Sequence, residues 1–254
     1  MSEENFRKLI KNLIQQNGCK IEGYDTEDRV RISRNGDQGL LYLDNLRRQY
    51  KSGSSEAELG KTLQTLFTEP KLPPAWSAAK DLLFLQLQGD DFVAETCIKR
   101  PVCIGLQQFV VYSSADGAQL TLVTDQQIKD WAVTNDLAFA QAKSNMDQLL
   151  IKAKLGLIKS DVKDNLGYFE LDSNLKASLI MSSKLKDIVK DKLGWPVYVA
   201  IPCADFIYIT ADKKLASRMG ATISKEYRNS PQPLSREIFL ISDQGIKPCD
   251  ELGK

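Results

Sequence analysis

The sequence predicts an α+β fold in two parts: a small α-β-β-α-α unit over residues 1–72 and a larger domain of mixed β-sheet with packed helices over residues 73–254. Three observations carry this. Amphipathic helical runs and strongly β-forming runs both recur along the chain. Two of the β runs continue through the hairpin dipeptides Asn35-Gly36 and Asp116-Gly117. The stretch Glu69-Pro70-Lys71-Leu72-Pro73-Pro74 neither continues a helix nor sits in a central strand, so it marks the boundary.

In the first part, Phe6, Leu9, Ile10, Leu13 and Ile14 recur at helical spacing, and Gly18 stands at the C′ position. Arg29 to Arg34 alternates as a half-buried strand, and Gly39 to Leu43 returns from the Asn35-Gly36 turn. Asp44 caps a helix carrying Leu46 and Tyr50, with Arg47 and Arg48 expected towards solvent. A third helix places Leu59, Leu63, Leu66 and Phe67 on one face.

The second part opens with a buried strand at Leu82–Leu87. A strand ending in Phe109-Val110-Val111-Tyr112 follows, and Gln119–Val123 returns. Thr124 caps a helix through Ile128 and Trp131. A longer helix from Asn135 carries Leu137, Phe139, Ala142, Met146, Leu149 and Leu150. Gly167–Leu171 is a strand, with Lys176–Met181 expected to pair with it. Ser182 or Ser183 caps a helix with an apolar face of Leu185, Ile188, Val189 and Leu193, closed by Gly194. The densest signal is Gly194–Asp212. Val197, Val199 and Ile201 alternate with Tyr198 and Ala200; after Pro202-Cys203-Ala204-Asp205, Phe206 and Tyr208 alternate with Ile207 and Ile209. Apolar residues on both faces mean a central strand. Asp212 caps one helix with Leu215, Met219, Ile223 and Tyr227. Ile238–Ile241 is the last expected strand, and Gln244-Gly245 turns the chain away.

Composition excludes more chemistry than it suggests. The chain of 254 residues has no histidine, which removes His-based triads, Cys-His catalysis and His-ligated metals. The five cysteines, Cys19, Cys97, Cys103, Cys203 and Cys249, are widely spaced and form no C-x-x-C, so neither a disulfide framework nor a Cys-only zinc site is expected. Thirty-four basic residues balance 33 acidic ones, which argues against nucleic acid as a partner. No apolar run approaches the ~20 residues of a membrane-spanning helix, and the acidic start lacks an apolar leader, so a cytoplasmic protein away from the membrane is expected.

Four local patterns invite a functional reading. Ser55–Thr62 (S-E-A-E-L-G-K-T) ends like a phosphate-binding loop. Ser stands where the first Gly belongs, and no buried strand precedes it; Ser55 and Glu58 have the spacing of a capping box instead. Asp90-Asp91 reads as a solvated turn. Asp205 and Asp212 flank a buried strand and would serve a Mg²⁺-assisted enzyme, yet a turn and a cap explain each of them. Lys184, Lys186, Lys190 and Lys192 alternate with Asp187 and Asp191, the pattern of a solvated helix face.

The run Val199-Ala200-Ile201-Pro202-x-x-Asp205-Phe206-Ile207-Tyr208-Ile209, followed by a helix and Ile238–Ile241, resembles the YtpQ-like bacterial family of unknown function (domain of unknown function 1444). Leu122-Val123-Thr124-Asp125 before paired helices, and the N-terminal helix, hairpin and helix around Leu40-Tyr42-Leu43, are similar too. The resemblance implies strands and helices in this order and supplies no catalytic residues. The family's polar or basic pair between Pro and Asp is Cys203-Ala204 here. The function expected is a non-catalytic binding or protein-interaction module, regulatory or immunity-type, with another protein as the partner and with no cofactor or metal. The alternative is a carboxylate and Mg²⁺-dependent enzyme acting on a small molecule. The Pro202–Asp205 connection is the first place to look for a pocket.

Overall fold

Phe6, Ile10, Leu13 and Ile14 make one buried stripe on α1 (Glu3–Gln16), and Gly18, at φ +73°, ends the helix in the left-handed conformation that favours glycine. The computed structural model describes residues 3–26, 29–34, 37–67, 72–114, 119–159, 165–171, 173–230 and 232–251. The chain is an α+β protein whose contacts divide it into two units, Met1–Lys71 and Leu72–Lys254.

In the first unit, β1 (Lys20–Thr26), β2 (Arg29–Arg34) and β3 (Asp37–Tyr42) form an antiparallel sheet in that order, followed by α2 (Asp44–Lys51) and α3 (Glu56–Phe67). Val30, Leu41, Leu43, Leu46, Leu59 and Leu63 close a core on the α1 stripe. β1 is not expected from sequence. Register shifts between Ile21 and Gly23 and between Tyr24 and Thr26 break the alternation by which a strand is read. The Asn35-Gly36 turn lies outside the described residues, as do the Asp116-Gly117 turn, the proline stretch up to Lys71 and the side chains of Leu66, Phe67 and Arg48. Arg47 is a correction. Its guanidinium lies 4.8 Å from the centre of the Phe6 ring and pairs with Glu3, so it joins α2 to α1 instead of facing solvent.

The second unit begins with α4 (Trp76–Ala79) and a 3₁₀ turn, Lys80–Leu82. β4 (Leu83–Gly89), β5 (Lys99–Cys103), β6 (Leu106–Ser113) and β7 (Leu120–Leu122) follow. β4 runs along one edge of β6, while β5 and β7 share the other. α5 (Asp125–Asp130) starts with a reciprocal capping box between Thr124 and Gln127. α6 (Asn135–Lys152), capped by Thr134, buries Ala138, Phe139, Ala142, Met146 and Leu150. Leu137, expected in that stripe, is 47% exposed; Ala138 holds the buried position next to it.

A six-stranded antiparallel sheet completes the unit, in the order β13-β12-β10-β11-β9-β8. Its strands are β8 (Lys154–Lys159), β9 (Asn165–Glu170), β10 (Val197–Cys203), β11 (Phe206–Thr210), β12 (Glu237–Ser242) and β13 (Gly245–Glu251). β10 and β11 are interior, as their two-sided apolar pattern requires. One face carries Val197, Val199, Ile201, Ile207, Ile209 and Phe239 into the main core, shared with α6 and α7 (Leu185–Leu193). The other carries Ala200 and Ile238 against α8 (Lys213–Arg218) and α9 (Gly220–Asn229), which replace the single helix expected there.

Three further expectations are corrected. Lys176–Met181 is not a strand: Ala177–Met181 is a buried 3₁₀ helix, and β9 pairs with β8 and β11 instead. The Ser178 hydroxyl accepts from the Leu87 N–H at 2.9 Å, which ties this helix to β4. The chain does not turn away after Ile241, because β13 returns along β12. Pro248 makes that segment unlike a strand in sequence, and a strand at the edge of the sheet tolerates it. Ser182 and Ser183 do not cap α7 directly. Both hydroxyls and the Ser183 N–H donate to Asp147 of α6, at 2.7, 2.7 and 2.8 Å. Burial pushes the Asp147 carboxyl up, but these three bonds outweigh it and hold the group below its usual range.

Asp147 therefore contributes stability that is complete above the ordinary Asp value near ~3.9 and is lost as pH falls through the depressed folded value. The expected result is that Asp147→Asn lowers the thermal midpoint at pH 7, and that its gap to the parent narrows as the pH is taken down towards about 2. A gap independent of pH means that the charge is idle.

Candidate functional site

The Pro202–Asp205 connection joins two interior strands, and its backbone is held from both sides. The Leu234 N–H donates to the Pro202 carbonyl at 2.9 Å and the Ala204 N–H to the Gln232 carbonyl at 3.2 Å. From the other side the Ala177 N–H, opening the 3₁₀ helix, donates to the Ala204 carbonyl at 2.9 Å. Cys203 and Ala204 are enclosed between these segments, at 3% and 5% exposure. The small pair that the sequence places between Pro and Asp thus belongs to the packing of the turn.

The residues that turn outwards are Asp205 and Phe206. With Tyr208 of β11, Tyr168 of β9, Ile158 of β8 and Lys176 before the 3₁₀ helix, they line a pocket of about 280 Å³. Its aromatic lining follows from the period of two along β11: Ile207 and Ile209 enter the main core, so Phe206 and Tyr208 share the opposite face. Their rings meet edge to face, with centroids 4.4 Å apart at 71°. On β9, Tyr168 lies opposite Gly156 of β8. A Cβ at Gly156 would stand 2.4 Å from Tyr168 Cζ, so glycine makes room for the ring. The Tyr168 hydroxyl donates to Glu170 Oε1 at 3.3 Å, and Ile158 is 47% exposed on the same face.

Two opposite charges stand on this apolar wall. Asp205 Oδ1 accepts from the Cys203 thiol at 3.1 Å. Burial pushes that thiol up to about 12, with the neighbouring Asp205 adding to the rise, which favours the protonated form over the nucleophilic thiolate at neutral pH. Burial likewise raises the Tyr208 phenol, with Glu226 and Cys203 adding to it. Lys176 supplies the ammonium. Among the described residues neither Lys176 nor Asp205 is in an ion pair, with each other or with any other group.

The other sequence candidates have local roles. Asp212 accepts from the Lys214 and Leu215 N–H groups at 2.7 and 3.4 Å and caps α8. Asp90 and Asp91 are exposed in the turn after β4. Glu58 accepts from the Ser55 N–H and hydroxyl at 2.7 and 2.9 Å while the Ser55 hydroxyl accepts from the Glu58 N–H. This is a capping box that puts Gly60 inside a helix rather than in a phosphate loop. On α7, Lys186 pairs with Asp243 at 2.8 Å and Lys190 with Asp187 at 3.3 Å. Among the described residues, no group of three or more His, Cys, Asp or Glu side chains is placed to hold a metal, and no helix is long and apolar enough to cross a membrane. Sequence reasoning missed Lys176 and Tyr168. The sequence puts Lys176 in a strand that does not form, and the glycine opposite Tyr168 lies on β8, itself unexpected. The chain matches no protein-family model, no curated protein and no solved structure.

Proposed function

We propose that the chain is a binding module without chemistry of its own, a cytoplasmic bacterial protein of the YtpQ-like kind, whose ligand enters the pocket beside Asp205. The observation that carries this reading is the pocket itself: an aromatic lining with one carboxylate and one ammonium, on a sheet face that the α8–α9 cluster leaves open there. Of the two forms the reading takes, binding a small ligand is the one the pocket supports; docking a protein has no comparable feature behind it. The Mg²⁺-enzyme alternative draws less support. Asp205, Asp212 and Asp90-Asp91 stand in three separate settings, and the buried thiol beside Asp205 is held protonated.

A simple ring probe tests this. Adding p-cresol should shift the ring and methyl resonances of Ile158, Tyr168, Phe206 and Tyr208 saturably. Gly156→Ala, which drives the Tyr168 ring from its seat, should remove the response. Shifts confined to other residues would overturn the reading.

A further inference from the structure

Resting on that reading, we propose that the pocket receives a free aromatic α-amino acid as its zwitterion, with the ligand's ammonium on Asp205, its carboxylate on Lys176 and its ring on Phe206, Tyr208 and Tyr168. Size sets the first limit. At about 280 Å³ the pocket lies at the small end of ligand sites, which typically span ~300–1,000 Å³. That accommodates one ring with a short polar handle and excludes a dinucleotide or an extended cofactor. The lining sets the second limit. Tyr168, Phe206, Tyr208 and Ile158 give faces for a ring, and the Tyr208 phenol, which burial raises above an ordinary value already near ~10, is uncharged at neutral pH.

The two charges choose the handle. A lone ammonium on the wall would suit a carboxylic acid, and a lone carboxylate would suit an amine. Here both stand on one small pocket and neither is neutralised by the other or by another group among the described residues. A small ligand carrying both charges offers each of the two an opposite partner for a charge-assisted hydrogen bond. Asp205 and Phe206 both line the pocket, so an ammonium held by Asp205 has an aromatic ring on the same wall. A phosphate does not suit the site. Lys176 is a single cation, and the first N–H groups of the 3₁₀ helix are already spent: Ala177 donates to Ala204 O and Ser178 to Leu175 O.

Calorimetric titration of the full chain tests this with five probes. L-Phenylalanine is expected to bind with saturable heat at one site. 3-Phenylpropionate lacks the ammonium, phenethylamine lacks the carboxylate and L-leucine lacks the ring; each should bind roughly tenfold to a hundredfold more weakly. N-acetyl-phenylalanine amide, with neither charge, should be the weakest ring-bearing probe. Lys176→Met should weaken phenylalanine at least about tenfold and leave phenethylamine unchanged, and Asp205→Asn should likewise weaken phenylalanine at least about tenfold and leave 3-phenylpropionate unchanged. If the blocked amide binds as tightly as the free amino acid, the zwitterion assignment falls while the binding module stands. If p-cresol and all five probes fail to bind, both fall. Should either variant unfold, the five affinities of the parent protein decide alone.

Discussion

Phe239→Ala is expected to destabilise the 72–254 unit by about 3–5 kcal/mol, the usual cost of emptying a fully buried phenylalanine site. Phe239 has no exposed surface. It sits on β12 between Val199 of β10 and Pro248 of β13, so strands on both sides restrict how far the neighbourhood can close on the void. Against a typical total of about 5–15 kcal/mol, the loss would leave the unit marginal. The three tryptophans, Trp76, Trp131 and Trp195, all lie in this unit, so their fluorescence in a urea titration follows its unfolding alone. The midpoint should drop with the slope unchanged. A loss below about 1.5 kcal/mol would mean that the sheet collapses onto the space left behind.

Asn145→Leu should cost the same unit about 2–4 kcal/mol, because two backbone carbonyls lose their donor together. Asn145 stands on the half-buried side of α6. Its Nδ2 donates to the Lys80 carbonyl at 2.8 Å and the Leu83 carbonyl at 2.7 Å, while its Oδ1 accepts from Gln141 Nε2 at 2.9 Å. The amide thus fastens α6 to the corner where the 3₁₀ turn becomes β4. Leucine keeps the volume and removes both bonds. Asn145→Asp should cost more, since it sets a carboxylate oxygen against two carbonyls. Tryptophan fluorescence reads both variants, and a leucine variant within about 0.5 kcal/mol of the parent would show that the corner holds without the amide.

Much of this architecture was legible wherever one periodicity dominates a segment. The α1 stripe, the Thr124 and Asp212 caps and the two-sided pattern of β10 and β11 follow from local rules, and the structure places each accordingly. The illegible elements break those rules for physical reasons. β1 is bulged, β13 carries a proline at a sheet edge, and β8, L-G-L-I between lysines, holds its glycine for a ring on the next strand. Ala177–Met181 reads as a strand because it is apolar but for Ser178. It is a 3₁₀ helix with Ala177, Ser178, Leu179 and Ile180 buried and Ser178 bonded to β4. The candidate site was half legible. Phe206 and Tyr208 share a face by simple alternation, and Asp205 stands at the strand entry. Lys176 reaches them only because the Ala177 N–H docks on the Ala204 carbonyl, a meeting of distant segments that no local pattern encodes.

The protonated thiol beneath Asp205 has a consequence for how the protein responds to acidity. Histidine, the side chain that ordinarily changes charge between pH 5 and 8, is missing from the chain, and burial moves the thiols of Cys19, Cys97, Cys103 and Cys203 upwards, away from that interval. No histidine, and none of those four thiols, therefore changes the charge of the pocket wall in that interval. Affinity for an amino acid, whose own two charges are also constant there, is expected to stay level from pH 5 to pH 8 when followed by calorimetry. A slope in that interval would point to a titrating group on the ligand or at a chain terminus, which makes the acidity profile a cheap way to learn what a native ligand carries.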